Sequence, residues 1–359
     1  MVINGVGYGY DGLIALCKEK AVCHDSAEWE RDVYRFIGTW FDTSDIVCQW
    51  SSGTTGQKKK LLLPKKSMVA SARNTCEFFG LKGGDTALLC LPVDYIAGKM
   101  MVVRAIFAKM NLVLAEPSGT PDLSGFENID FCAMVPLQAM ALIEKGHGLQ
   151  KIRKLIIGGA EIHRDLERKL RGLSTEVFAT YGMAETCSQV AIRMVNGARN
   201  ALPYVAMAGI KLSIDERNCL VVGASYLDNP VVTNDVVQLV DNKTFCWRGR
   251  FDNLINSGGV KIVPEEIETI VSGKTGRDCA VLALPDKKLG HKVVLVIEEK
   301  GEKIAKETVM KMIRENISLH SRPKKIYFVE RFPRNGNYKI DRAELLEQIG
   351  IINSNTPST

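Results

Sequence analysis

The stretch from Ser51 to Lys60, SSGTTGQKKK, packs glycines, hydroxyls and a lysine run between the apolar segments DIVCQW and LLLP. Ser51, Thr54 and Thr55 supply hydroxyls. Gly53 and Gly56 let the backbone bend and turn N–H groups toward an anion, and Lys58 to Lys60 add positive charge. Together these groups suit phosphate. The pattern is not the GxxxxGK[ST] loop: only Thr54 and Thr55 lie between the glycines, and Gln57 follows where lysine would stand. A Gly/Ser/Thr hairpin turn between two strands has the same composition.

Such a loop needs a scaffold. From about Asp45 to Val195 the runs TALLCLP, NLVLAEP, DFCAMVP, KLIIGGAE and EVFATYG read as strands buried on both faces. Between them KSMVASARNTCEFFG, GKMMVVRAIFAKM and LQAMALIEKG read as helices, which predicts an α/β sheet with helices on both sides. The segment from Ile210 to Trp247 changes to short strands and turns and predicts a β-rich subdomain. Near Arg250 a second unit begins, with strands DCAVLALPD, HKVVLVIEE and KIYFVE and helices KETVMKMIRENISLH and DRAELLEQIG. The expected organisation is a large α/β domain with a β-rich subdomain over residues 1–250, a small mobile α+β domain over 251–352, and a polar tail, 353–359.

Composition excludes several classes. The 359 residues are 46% hydrophobic and 25% charged, as in ordinary globular proteins. No apolar run reaches the roughly 18 residues that span a bilayer, and the N-terminus lacks signal-peptide features. Net charge is +6, without the aromatic interleaving of a nucleic-acid groove. Ten scattered cysteines form no CxxC and no zinc-like pairing with the five histidines, as expected of reduced thiols in a cytoplasmic protein.

Four further stretches follow the loop: YGMAETCS (Tyr181 to Ser188), TND (Thr233 to Asp235), GRFDNLINSGGVKIVPEEIE (Gly249 to Glu268) and PRNGNYKIDRAEL (Pro333 to Leu345). TND and the Gly258–Gly259 pair could each be a plain turn. In this order and spacing, however, the set resembles the adenylate-forming superfamily of acyl-CoA synthetases, adenylation domains and luciferases, from about Asp45 to Ile349. YGMAETCSQVA, and LPVDYIAGKMMVVRAI with its arginine six residues after the glycine, are most similar to the o-succinylbenzoate–CoA ligases of menaquinone synthesis. Family members are commonly longer at the N-terminus.

The resemblance implies two half-reactions: a carboxylate attacks the α-phosphorus of ATP, and the thiol of coenzyme A then displaces AMP. It assigns Ser51, Thr54, Thr55 and Lys59 to the β- and γ-phosphates. Glu185 takes the magnesium ion. Tyr181 with Gly182 meets adenine, edged by Gly159, Ala160 and Glu161, and Asp235 with Arg250 takes the ribose. Asp252 becomes the hinge, Gly258 and Gly259 the coenzyme A channel, and Lys339 the catalytic cation of the first half-reaction. Lysines at 58 and 60 replace the usual proline and glycine. Ala184 replaces a threonine, with Thr186 or Ser188 as substitutes for its hydroxyl. Arg104 and Lys99 are the candidates for a second carboxylate of the acid, although five residues apart they do not share one helix face. Asp94 and Tyr95 replace residues that are often aromatic and histidine. Cys187 reads as a packed thiol. The expected partners are therefore a small carboxylic acid, ATP and CoA, with no nucleic acid and no membrane span; oligomeric state stays open, a homodimer included. An adenylation enzyme that loads a carrier protein, and a nucleotide-binding homologue that lost turnover, fit the same motifs.

Overall fold

The computed structural model describes residues 1–50, 59–146, 148–162, 164–196, 203–299, 303–334 and 340–354. The chain opens with a small hairpin, β1 (Val2–Ile3) and β2 (Val6–Gly7), and a helical pair, α1 (Tyr10–Val22) and α2 (Glu28–Trp40). Next come β3 (Ile46–Trp50), β4 (Lys60–Pro64), α3 (Lys65–Phe79), β5 (Thr86–Leu89), α4 (Ile96–Ala108) and β6 (Asn111–Leu114). Then follow β7 (Ile129–Met134), α5 (Pro136–Glu144), β8 (Ile152–Ile157), α6 (Arg164–Leu170) and β9 (Glu176–Gly182). β5 to β9 and helices α3, α4 and α5 lie where the sequence patterns put them; α6 was not among the expected helices.

These strands form the parallel half of a large sheet. β1 pairs with β6, β6 with β5, β5 with β7, β7 with β8 and β8 with β9, all in parallel. Alternate side chains feed opposite faces. Phe131 and Ala133 of β7 join the core under α3 and α4, whereas Cys132 and Met134 join the core under α5 and α6. Both faces are thus covered, which is why the strands read as continuous apolar runs. Each fully buried Leu, Ile or Phe there contributes about 1.5–3 kcal/mol. Helix α3 buries Met68, Ala72, Cys76 and Phe79 and stops at Gly80, whose φ of 60° suits a residue without Cβ.

The β-rich stretch continues the same sheet in antiparallel fashion through β10 (Gln189–Met194), β11 (Tyr204–Ala206), β12 (Ile210–Ile214), β13 (Cys219–Ala224), β14 (Val231–Leu239) and β15 (Thr244–Arg250). β10 lies antiparallel to β9, so this subdomain is joined edge to edge with the parallel half. Among the described residues β3 and β4 pair only with each other.

A second sheet holds β16 (Ile255–Ser257), β17 (Val260–Ile262), β18 (Cys279–Asp286), β19 (Gly290–Glu298) and β20 (Lys325–Val329), with α7 (Pro264–Thr275), α8 (Lys306–Asn316) and α9 (Arg342–Ser354) around it. Its own cores form on two faces, Val281, Leu295 and Ile297 on one and Leu282, Val294 and Val296 on the other. Helix α9 runs on through Ser354, past the residue where the sequence pattern sets the tail. No described helix is long and apolar enough to cross a membrane.

Candidate active site

The C-terminal end of β9 and the pairing of β14 with β15 build one polar knot. Asp235 lies opposite Arg250 in the β14–β15 register. Its carboxylate is almost fully buried, at 6% exposure. Oδ2 accepts from the Tyr181 hydroxyl at 2.7 Å, and Oδ1 accepts from the Trp247 indole N–H at 3.1 Å. The Arg250 guanidinium stands 3.5 Å from Oδ1 and reaches Asp252 Oδ2 at 2.7 Å. The Asp235 N–H donates to Thr233 Oγ1 at 3.1 Å, which shapes the TND turn. Three donors meet a carboxylate with about four lone-pair positions, so one remains for a further hydroxyl.

Tyr181 packs its ring edge-on against Phe245 and Tyr204, with centroids 5.1 and 6.0 Å away. Burial first, then the neighbouring Asp235 charge, hold its phenol well above the ordinary range. The sequence expectation gave this ring to adenine. In the structure its hydroxyl belongs to Asp235.

Glu185 sits half-buried in the single 3-10 turn Ala184–Thr186 that follows β9. Among the described residues its carboxylate has no hydrogen-bond or ion-pair partner, which suits a group waiting for a cation. The two hydroxyls expected to replace the one missing at Ala184 are both engaged. Thr186 Oγ1 is tied to the carbonyls of Met183 and Ser188, at 3.0 and 2.7 Å, and Ser188 Oγ belongs to Arg104 and Gln189. Gly182 permits this closeness: a Cβ there would lie 2.3 Å from the Ser188 carbonyl oxygen.

Arg104, on α4, is 1% exposed. Its Nη2 donates to Ser188 Oγ at 2.5 Å and to Gln189 Oε1 at 2.6 Å, and Nη1 lies 3.7 Å from Met101 Sδ. Its Nε has no partner, and among the described residues no carboxylate pairs with it. Burial lowers its pKa to about 10, so it stays a cation at neutral pH. Ser188 and Gln189 directly follow the turn that carries Glu185, and Gln189 pairs with Gly182. The guanidinium therefore lies beside the end of β9, under the knot's own strand. Lys99 goes elsewhere: its ammonium donates to Gln49 Oε1 at 2.8 Å and to the Asp94 carbonyl at 3.4 Å. The structure does not bring the two cations to shared partners.

Gly159, Ala160 and Glu161 follow β8 in an exposed loop. The Glu161 carboxyl accepts from Thr269 Oγ1 of α7 at 3.4 Å. The protein mass crowded around the carboxyl and the nearby Glu268 push it up to about 7, although the side chain keeps a surface open to water. Gly258 and Gly259 form the positive-φ turn between β16 and β17, where the Gly258 N–H donates to the Leu289 carbonyl at 2.9 Å. Cys187 is a buried thiol, pushed up to about 12 by burial. Lys59 is exposed just before β4. Ser51, Thr54, Thr55 and Lys339 lie outside the described residues.

Sequence reading missed Trp247, Gln189, Asn234 and Arg217 as parts of the site. Asn234 lies within TND and Gln189 within YGMAETCSQVA, with no role assigned to either; Trp247 and Arg217 stand in no motif. The β14–β15 register could have pointed to Trp247, since it falls three residues before Arg250 on the strand paired with Asp235's own.

Comparisons with known proteins agree on the architecture. The AMP-binding enzyme model matches residues 20–221 and the AMP-binding enzyme C-terminal domain model matches residues 266–339. The 2-succinylbenzoate–CoA ligase of Lactococcus lactis is 25% identical, with 85% of this chain and 71% of the relative aligned. The probable 2-succinylbenzoate–CoA ligase of Mycobacterium tuberculosis is 26% identical over 87% of this chain and 86% of its own. Among solved structures, an acyl-CoA synthetase (AMP-forming)/AMP-acid ligase II-like protein from Dyadobacter fermentans is 34% identical, with TM-score 0.61 and coverage of 93% and 98%. O-succinylbenzoate coenzyme A synthetase from Bacillus subtilis, solved with ATP and magnesium ion, superposes with TM-score 0.72 at 21% identity, over 83% of this chain and 69% of its own.

Proposed function

This chain belongs to the AMP-binding enzyme family, and from that premise we propose that it is an AMP-forming acid–CoA ligase whose acid is 2-succinylbenzoate, the step menaquinone synthesis requires. The acid's carboxylate oxygen attacks the α-phosphorus of ATP; a P–O bond forms and pyrophosphate leaves. The thiol of coenzyme A then gives up its proton and attacks the acyl carbon, forming the thioester as AMP leaves. Neither half needs a covalent bond to the protein, only positioning and charge stabilisation.

Roles follow from position. Asp235, held by Trp247, Tyr181 and Arg250, accepts a ribose hydroxyl. Ser51, Thr54, Thr55 and Lys59 take the terminal phosphates, and the loop at Gly159, Ala160 and Glu161 edges the adenine. Lys339 brings its ammonium to the α-phosphate in the first half, and the Gly258–Gly259 turn faces the pantetheine arm in the second. These assignments rest on each residue's place in the motifs. Glu185 fits magnesium by its hard oxygen donors and its lack of a partner among the described residues; when bound, the ion would neutralise phosphate charge. We place the enzyme in the cytoplasm, a reducing compartment: all ten thiols are free, including Cys90 and Cys132 with sulfurs 3.8 Å apart.

The observation that carries the choice of acid is Arg104. A guanidinium with 1% exposure and no carboxylate partner among the described residues carries a desolvation cost that a substrate carboxylate would offset. A diacid activated at one carboxylate and anchored by the other meets that need. The test mixes the protein with ATP, magnesium and a panel of aryl acids. Pyrophosphate release with 2-succinylbenzoate before CoA is added, and thioester after, is the expected result. Release only with acids that lack a second carboxylate would overturn the choice of substrate, and adenylate that never passes to CoA would favour a carrier-protein acceptor.

A further inference from the structure

The chain crosses from the large sheet to the second one at Phe251–Asn253, a single 3-10 turn. Two neighbouring residues there are gripped by different bodies. Asp252 is held from the large sheet. Asn234 of β14 donates from Nδ2 to both carboxylate oxygens, at 2.9 and 3.2 Å, and Arg250 of β15 donates at 2.7 Å. Asn253, the next residue, donates from Nδ2 to Glu265 Oε1 on α7, in the second body.

Asn234 is itself fixed. Its Oδ1 accepts from Arg217 Nη1 at 2.9 Å, and Arg217 also donates to the Thr233 carbonyl at 3.0 Å and to Asp215 at 2.8 Å. The same guanidinium lies 5.0 Å from the centroid of the Phe251 ring. Asn234 is thus used as acceptor and donor at once, a pair of roles that aspartate cannot fill. Arg250, meanwhile, reaches both Asp252 and the Asp235 carboxylate.

We propose that Asn234 and Arg217 are positioning residues that latch the Asp252 carboxylate to the large sheet, so that the second body swings at the peptide joining Asp252 to Asn253. The proposal rests on the reading above, in which Lys339 serves one half-reaction and the Gly258–Gly259 turn the other, and adds what holds the pivot between those two placements of the second body. A hinge absorbs its φ/ψ change in few residues, and here the grips change hands across one peptide. Turning that peptide moves Asn253 and the second body, while the Asp252 carboxylate and the Phe251 ring stay on groups anchored in β14 and the β12–β13 turn, so the latch keeps the pivot in place through each cycle.

Two variants test this. Asn234→Asp keeps the size and the acceptor for Arg217 but loses the donor to Asp252; Arg217→Ala removes the anchor. Hydrogen–deuterium exchange over residues 251–254 is expected to speed up several-fold in both, with exchange in β7 and β8 unchanged. The ratio of acyl-AMP formation to thioester formation from preformed acyl-AMP is expected to shift several-fold, with one half slowed and the other held or accelerated. Unchanged exchange at 251–254 in both variants would overturn the latch whatever the activity, and so would the same fold-change in both half-reactions. Failure of the unsubstituted protein to release pyrophosphate would instead count against the enzymatic reading, leaving exchange to decide the latch.

Discussion

At the scale of single residues, Arg104 and Asp235 are two buried charges in opposite situations. Asp235 has three donors and keeps one lone-pair position open. Arg104 has hydroxyl, amide and thioether contacts but no anion among the described residues. Hydrogen bonds to charged groups are worth about 1.5–3 kcal/mol. Arg104→Gln is therefore expected to raise KM for the diacid by about 10- to 150-fold. An aryl acid without the second carboxylate should lose little. Steady-state kinetics with the two acids checks this; equal losses would show that Arg104 only supports the core. Trp247→Phe keeps a ring and removes one donor to the Asp235 carboxylate; the nucleotide feels this only through that carboxylate, so the effect on its binding is set below the full value of a bond to a charged group, at about 0.5–1.5 kcal/mol. KM for ATP should rise about 2- to 12-fold. With ATP lacking the ribose hydroxyl that Asp235 accepts, tested as the 2′- and 3′-deoxy forms, the same substitution should add no penalty.

At the scale of elements, α7 decides how the two sheets meet. It packs on β15, where Gly249 leaves room: a Cβ there would stand 2.5 Å from both Glu265 Oε2 and Val263 Cγ1. Gly249→Ala should cost about 1–3 kcal/mol of overpacking, read by denaturant unfolding. The same helix faces Glu161 with Glu268, Glu265 and Thr269, while Arg193 approaches from β10. Glu161 is raised from an ordinary carboxyl value to about 7, so the folded protein holds a proton that the unfolded chain releases near 4.5. Its contribution to stability therefore falls as pH rises from about 4.5 to about 7. Melting temperature followed across that window should decline more steeply in the native sequence than in Glu161→Gln.

The same elements show what the sequence could and could not reveal. β5 to β9 were legible because a strand covered on both faces must be apolar throughout. α2 was not read, although Val33, Tyr34, Phe36 and Ile37 against Glu30, Arg31, Asp32 and Arg35 make an amphipathic pattern, because the sequence reading began its scaffold at Asp45. The knot at Asp235 was half legible. Asp235 and Arg250 stand in motifs. Trp247 and Arg217 become partners only through strand register and a turn between β12 and β13, and register is a tertiary fact. Arg104 was legible as a cation on a helix; its burial and missing partner were not.

At the scale of the whole molecule, one large sheet supplies the end of β9 and the β14–β15 pair, α4 packed on it supplies the guanidinium, and the second sheet is tethered to the large one through Phe251–Asn253. Such a division suits a reaction in two halves, each with its own placement of the second body. Lys339→Ala is then expected to cut acyl-AMP formation by at least about tenfold, as loss of one electrostatic stabiliser does. Thioester formation from preformed acyl-AMP should stay near its original rate. Rapid-quench measurement of each half separates the outcomes, and equal loss in both would contradict a lysine that serves one half only. The most direct measurement of the central claim is a crystal structure with ATP, magnesium and 2-succinylbenzoate bound. The account predicts a ribose hydroxyl on Asp235, the ion on Glu185 and the acid's free carboxylate on Arg104. Nucleotide bound away from Asp235 and Glu185, or an acid that leaves Arg104 without an anion, would contradict it.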